Sequence, residues 1–202
     1  LTARPVSFPK TQPELSFVIA QSFVAADKQV TGPVCYNLRV VECSLAAAYL
    51  HETLNKTSIP LPPDSGPLGI SLRGFQNAYF GISPRTLDEQ LAELVDITKS
   101  TLAKEEGYTR EEIAEVLKIS KSELEKRYES IFPVRAERFK LRQRALHVFS
   151  EALRVQEFLR LLEEPNSFLA QDTGNSTETY NKRLGSLMNE TQDSCRDLYE
   201  CS

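Results

Sequence analysis

The sequence predicts an α+β protein in which a buried strand leads into a mostly helical body. Residues 15–26 form an almost unbroken apolar run with Phe17, Val18, Ile19, Phe23 and Val24. That is too short to span a membrane and suits a buried strand. After a polar break at Asp27, Lys28, Gly32 and Pro33, the residues Leu38, Val41, Leu45 and Tyr49 recur at helical spacing. From Ser83 onward the pattern is helical, and hydroxyl–acid pairs mark the helix starts: Thr86 with Glu89, Thr109 with Glu112, Ser120 with Glu123.

Taken in order, residues 1–13 hold Pro5, Pro9 and Pro13, which suits an edge strand or an extended lead-in. The strand over 15–26 is expected to lie in a sheet. A helix then runs from near Tyr36 to between His51 and Asn55. Residues 57–74 carry Pro60, Pro62, Pro63, Pro67, Gly66, Gly69 and Gly74 and read as an exposed loop, a variable surface insertion rather than a lid. Helices lined by Leu87, Leu91, Leu94 and Leu102, by Ile113, Val116 and Leu117, and by Leu124, Tyr128 and Ile131 follow. Pro133 is expected in the first turn of the longest helix, 134–163, which Pro165 stops. A last helix carries Leu184, Leu187, Met188 and Leu198. The expected division is 1–55, the end of a sheet-containing part with a candidate ligand loop; 56–82, a Pro/Gly-rich connection; and 83–202, the helical part of a further domain.

With 202 residues, 41% hydrophobic and 26% charged, the chain can bury its own core. A net charge of −4 argues against nucleic acid or an anionic membrane as partner, since phosphates call for a basic face. Cys35, Cys43, Cys195 and Cys201 form no C-x-x-C pair, and His51 and His147 are the only histidines, so no metal site is expected. Reduced thiols in a cytoplasmic protein are the favoured reading over a disulfide framework. Sequons at Asn55, Asn175 and Asn189 hint at secretion, but Asn189 falls in a helical pattern. No signal peptide or transmembrane segment is evident, although the chain opens on Leu1 rather than Met.

Residues 108–128 imitate a helix-turn-helix DNA reader. Eight glutamates against five lysines or arginines from Glu105 to Glu129 would repel phosphates, so a structural pair of helices is the better reading. Arg135, Arg138, Lys140, Arg142 and Arg144 make a basic start to the long helix and oppose its dipole. A solvated face is favoured there over contact with a nucleotide or a protein partner. Arg39 either pairs with a carboxylate or lies on the solvated face.

The loop before the first helix holds the candidate site. In α/β units such a loop lies beyond a strand end, where small ligands are commonly held. Tyr36 offers a ring to stack on a sugar face and a hydroxyl to bond its rim, or it simply packs; Lys28 offers a charge to phosphate. No phosphate-binding glycine loop occurs, and no catalytic residue can be assigned.

Lys28, followed eight residues later by Tyr36-Asn37-Leu38-Arg39-Val40-Val41-Glu42, resembles galactokinases of the fungal type, in the GHMP small-molecule kinase family. Pro133-Val134-Arg135, the run over 140–155 and the run over 187–202 resemble the same family in the same order. The resemblance implies a GHMP-kinase-like fold and transfer of the ATP γ-phosphate, with Mg2+, to the anomeric hydroxyl of galactose. It implies that Tyr36 contacts galactose and that Lys28 and its neighbour Asp27, where asparagine is common, lie near the nucleotide. It further implies an internal piece, with the phosphate loop, catalytic aspartate and metal ligands before Leu1 and a glycine-rich motif after Ser202. The family includes relatives that bind galactose and ATP without turnover and dock on a transcriptional repressor, which is the alternative reading.

Overall fold

The computed structural model describes residues 5–21, 23, 31–55, 59–166 and 177–201. Its helices are α1 (Tyr36–Leu54), α2 (Leu72–Phe80), α3 (Leu87–Thr101), α4 (Arg110–Leu117) and α5 (Lys121–Leu124), which runs on into a π turn over Glu125–Glu129. After an extended stretch come α6 (Leu141–Glu163) and α7 (Glu178–Ser194), the latter continuing into a π turn over Cys195–Tyr199.

Helix α1 is central because its sequence is apolar on more than one side. Val41, Leu45, Ala46, Ala47 and Leu50 are fully buried, and the run of alanines lets neighbours approach on several faces. It packs against α2, α4 and α6, while α3 lies along α6. Leu91, Leu94, Leu102, Ile113, Leu124, Leu141, Ala145 and Phe149 complete this core. A smaller cluster of Leu161, Tyr180, Leu184 and Leu187 seats α7 on the end of α6. There the Tyr180 hydroxyl donates to the Leu161 carbonyl at 2.9 Å, which satisfies a buried polar group.

The helix starts form as their sequences dictate. Thr86 with Glu89 and Thr109 with Glu112 make complete reciprocal caps, and the Ser120 hydroxyl accepts from the Glu123 amide. Helix α4 ends on Lys118 in the left-handed region, at φ 56°. Just before α4, Gly107 at φ 92° brings Tyr108 against Phe139, where two backbone hydrogen bonds of 2.9 and 2.8 Å close an isolated antiparallel bridge. A Cβ on Gly107 would lie 2.9 Å from the Phe139 carbonyl oxygen, so only glycine meets both demands. Thr109→Ala removes the α4 cap and is expected to cost about 1 kcal/mol. Thermal denaturation checks this, and Thr109→Ser should recover most of the loss.

Three expectations are corrected. No strand forms among the described residues. Residues 15–21 run without regular structure, with Val18 90% and Ile19 98% exposed. The reason is that strand backbone groups are satisfied only by a neighbouring strand, and no described segment pairs with this one. The α half of the predicted α+β class therefore stands, and the β half does not. Helix α2 replaces the end of the predicted 57–74 loop: Ser71 caps it by accepting from the Gly74 amide at 3.0 Å. Asp64 ties the loop down by accepting from the Ser71 hydroxyl at 2.6 Å and the Gly66 amide at 2.7 Å. Finally, the long helix begins at Leu141 rather than 134, because Phe139 is drawn into the bridge with Tyr108. Arg135, Arg138 and Lys140 thus precede the helix.

Three cations of the α4–α5 pair are engaged by carboxylates of the protein. Arg110 forks onto Glu129 at 2.9 and 2.8 Å and lies over the Phe139 ring, while Lys121 pairs with Glu111 and Lys118 with Glu52. Nothing in this surface favours DNA. Among the described residues no helix is long and apolar enough to cross a membrane.

Candidate ligand site at the start of α1

The chain enters α1 through a turn over residues 31–35, in which the Cys35 amide donates to the Thr31 carbonyl and the Asn37 amide to that of Gly32, both at 2.8 Å. Cys35 gives no side-chain cap. The turn is held instead from outside: the Arg135 amide donates to the Pro33 carbonyl at 3.1 Å, and the Asn37 side-chain amide to the Pro133 carbonyl at 3.0 Å. These contacts aim Tyr36 outward at 54% exposure, into a cleft of about 450 Å³. One wall is Thr31, Cys35, Tyr36, Arg39 and Val40; the other is Tyr199, Glu200 and Cys201. Lys28 and Asp27 lie outside the described residues.

The floor of the cleft is a buried ionic network. Glu42, 1% exposed, accepts from Arg144 Nε at 2.6 Å, from the Lys140 amide at 2.7 Å and from Arg39 Nη1 at 3.2 Å. Arg144, fully buried, also donates to Glu200 Oε2 at 2.7 Å and to the Leu198 carbonyl. Arg39 donates to the Tyr199 carbonyl at 2.5 Å and to the carbonyl and carboxylate of Glu200 at 3.2 Å. Lys140 closes the set on Glu200. Three cations thus face two carboxylates, and backbone carbonyls take the surplus donors. Burial by itself would raise the Glu200 carboxyl, but hydrogen bonds from Lys140 and Arg144 outweigh it and hold that carboxyl below the ordinary glutamate value.

Tyr199 is fixed on two sides. Its ring stacks on His147, with centroids 4.4 Å apart, and its hydroxyl meets the Cys43 thiol. Burial, then the Glu42 charge, pushes Cys43 up to about 12; burial, then Cys43, pushes Tyr199 up to about 12. Both groups are therefore held in the neutral form at neutral pH. His147, whose Nδ1 meets the Ser194 hydroxyl at 2.9 Å, is lowered by burial. All four cysteines are free thiols. Among the described residues no group of three or more potential metal ligands occurs.

The structure brings together the runs that carry the sequence resemblance. Residues 36–42, 140–144 and 198–200 are joined by the ionic network beneath the cleft, and 133–135 hold the turn that leads into it. Arg39 takes the carboxylate-paired option, and the basic run is not a solvated face at its last member, since Arg144 is buried. Glu42, Tyr199 and Glu200 were not singled out from sequence, and Arg144 was read only as a member of a solvated basic run, yet a signal existed. Glu42 sits between Val41 and Leu45, and Arg144 between Leu141 and Ala145, each a charge on a buried stripe. A larger groove of about 530 Å³ runs between Phe8, Val155, Phe158, Leu187 and Met188. Three of its polar members, Arg154, Glu151 and Thr191, bond one another.

The cleft thus sets an outward tyrosine opposite Tyr199 and Glu200, above a buried ionic network. The sequence to which this chain is similar is that of galactokinases. The chain is 37% identical over 214 residues to galactokinase of Saccharomyces cerevisiae and 35% over 209 residues to that of Candida albicans, in both cases over its whole length. It is 38% identical over 196 residues to galactokinase of Dictyostelium discoideum, over 93% of the chain. The chain spans 39%, 40% and 36% of the length of these three relatives. No protein-family model matches it. The sequence is thus galactokinase-like from end to end.

Proposed function

We propose that the full-length protein containing this chain is a cytoplasmic galactokinase of the GHMP kinase type, which transfers the ATP γ-phosphate to the anomeric hydroxyl of galactose. The observation that carries this reading is the whole-chain match to proteins named galactokinase, whose matching runs converge on one cleft. In this reading Tyr36 stacks on the apolar face of the sugar and bonds its rim, as aromatic side chains with a polar tip commonly do. Tyr199 and Glu200 form the opposing wall, and the ionic floor keeps both walls in register without taking part in bonding the sugar. Lys28 and Asp27 are assigned to the nucleotide side by their place in the matching run. ATP is the second substrate. Mg2+ would accompany it; among the described residues no group of three or more His, Cys, Asp or Glu side chains is gathered to hold one. Phosphoryl transfer is mostly positioning and charge stabilisation, and this chain contributes the positioning of the acceptor sugar.

A non-catalytic galactose sensor docking on a transcriptional repressor would use the same cleft, and no residue here favours it. The test is formation of galactose 1-phosphate by the full-length protein with ATP. Turnover is expected; galactose binding without turnover would overturn the kinase in favour of the sensor.

A further inference from the structure

We propose that Arg39 is a positioning residue that sets the spacing between the two walls of the Tyr36 cleft, and thereby the KM for galactose; the inference rests on the Tyr36 reading above. Tyr36 and Arg39 are three residues apart on α1, hence on one face. The facing wall belongs to the segment after α7; Arg39 ties the two at the cleft surface, while the Cys43 thiol on the Tyr199 hydroxyl and Arg144 between Glu42 and Glu200 join them beneath it. Nε reaches the Tyr199 carbonyl at 2.5 Å and Nη2 reaches Glu200 at 3.2 Å, while Nη1 is anchored on Glu42 of its own helix at 3.2 Å. A guanidinium is planar with its donors in fixed directions, so one posture alone serves acceptors on both walls. Those acceptors do not wander, because Arg144 and Lys140 hold Glu42 and Glu200 from the start of α6. At 7% exposure, and with donors engaged on both walls, Arg39 holds protein rather than ligand.

A lysine at position 39 keeps the charge but has a single point of attachment, so it cannot hold both walls in one plane. The walls would drift relative to each other, and displacements well under an ångström matter at a site that orients a reactant. In the full-length protein Arg39→Lys is expected to raise the galactose KM about tenfold while the ATP KM changes by less than about twofold. Glu200→Gln, at the cleft rim, removes one charged acceptor and leaves the carbonyl contacts. It is expected to raise the galactose KM about threefold, and it carries the test if Arg39→Lys does not fold. Equal rises in both KM values, or a lowered Tm with unchanged galactose KM, would overturn the proposal in favour of a merely structural role. Tyr36→Ala, measured alongside, separates the two ideas. If it raises the galactose KM and the other variants do not, the Arg39 assignment falls alone. If it has no effect, the assignment falls together with the Tyr36 reading.

Discussion

Arg144→Ala is expected to destabilise the protein by about 3–5 kcal/mol, the usual cost of removing one partner from a buried ion pair. The side chain is fully buried, and its guanidinium is the closest partner of the Glu42 carboxylate, at 2.6 Å. Its removal leaves Glu42 with only the Lys140 amide and the longer bond from Arg39. The Leu198 carbonyl loses a donor, and a cavity the size of the side chain opens. Arg144→Met fills the cavity without restoring charge, so it should recover only the packing part of the loss. The effect also depends on pH. Glu200 has its carboxyl held low in the folded state, so its contribution is present above the ordinary glutamate value of about 4.3 and is lost as pH falls through the lower folded value. Because Arg144 is one of the three cations on Glu200, with Arg39 and Lys140, Arg144→Ala should show a smaller acid-side loss than the parent. Urea denaturation at neutral and acidic pH measures both effects, and an unchanged midpoint at neutral pH would contradict them.

The helical body was legible because its signals are local. A Thr three residues ahead of a Glu satisfies free amides within a single turn, and the α3 and α4 starts lie where those pairs stand. The apolar spacing of Leu38, Val41, Leu45 and Tyr49 marked α1 for the same reason. The failures each needed information from afar. An apolar run such as 15–21 becomes a strand only beside another strand, and periodicity within the run cannot supply one. Helix α2 was hidden by Gly74 and by the proline-rich residues before it; Phe75 and Leu72 anchor it in the core regardless of its weak propensity. The long helix was started too early because Pro133 looks like a first-turn residue, whereas Gly107, 26 positions upstream, opens the chain to the bridge that holds Phe139 extended.

The site divides in the same way. Tyr36 was nominated by its place in the run that resembles the galactokinases, since a tyrosine at a helix start equally suits packing. The floor beneath it could not be, because it is assembled from α1, the start of α6 and the segment after α7, with Arg144 bonding 102 residues back to Glu42 and 56 residues on to Glu200. Only the anomaly of a charge inside an apolar stripe pointed there. Reading Arg144 as part of a solvated basic run missed that it shares the buried stripe with Leu141, Ala145 and Phe149.

Tyr36→Ala is expected to weaken galactose binding by about 1–3 kcal/mol, through lost stacking and a lost hydrogen bond. At roughly 1.4 kcal/mol per decade, this corresponds to about a 5- to 150-fold rise in Kd. The structure separates this effect from a loss of folding. Tyr36 is 54% exposed, and the turn beneath it is held by backbone bonds from Cys35, Asn37 and Arg135 that do not involve its ring. The Tm without sugar should therefore move little, while the gain in Tm on adding galactose should shrink. Tyr36→Phe divides the effect further. It keeps the stacking surface and loses only the hydroxyl, so it should cost about 0.5–1.5 kcal/mol if that hydroxyl meets the sugar rim. Titration calorimetry of the full-length protein with galactose, run on both variants, reads the two contributions. Equal losses for Ala and Phe would place the whole contribution in the hydroxyl, and unchanged affinity in both would return Tyr36 to packing at the mouth of the cleft.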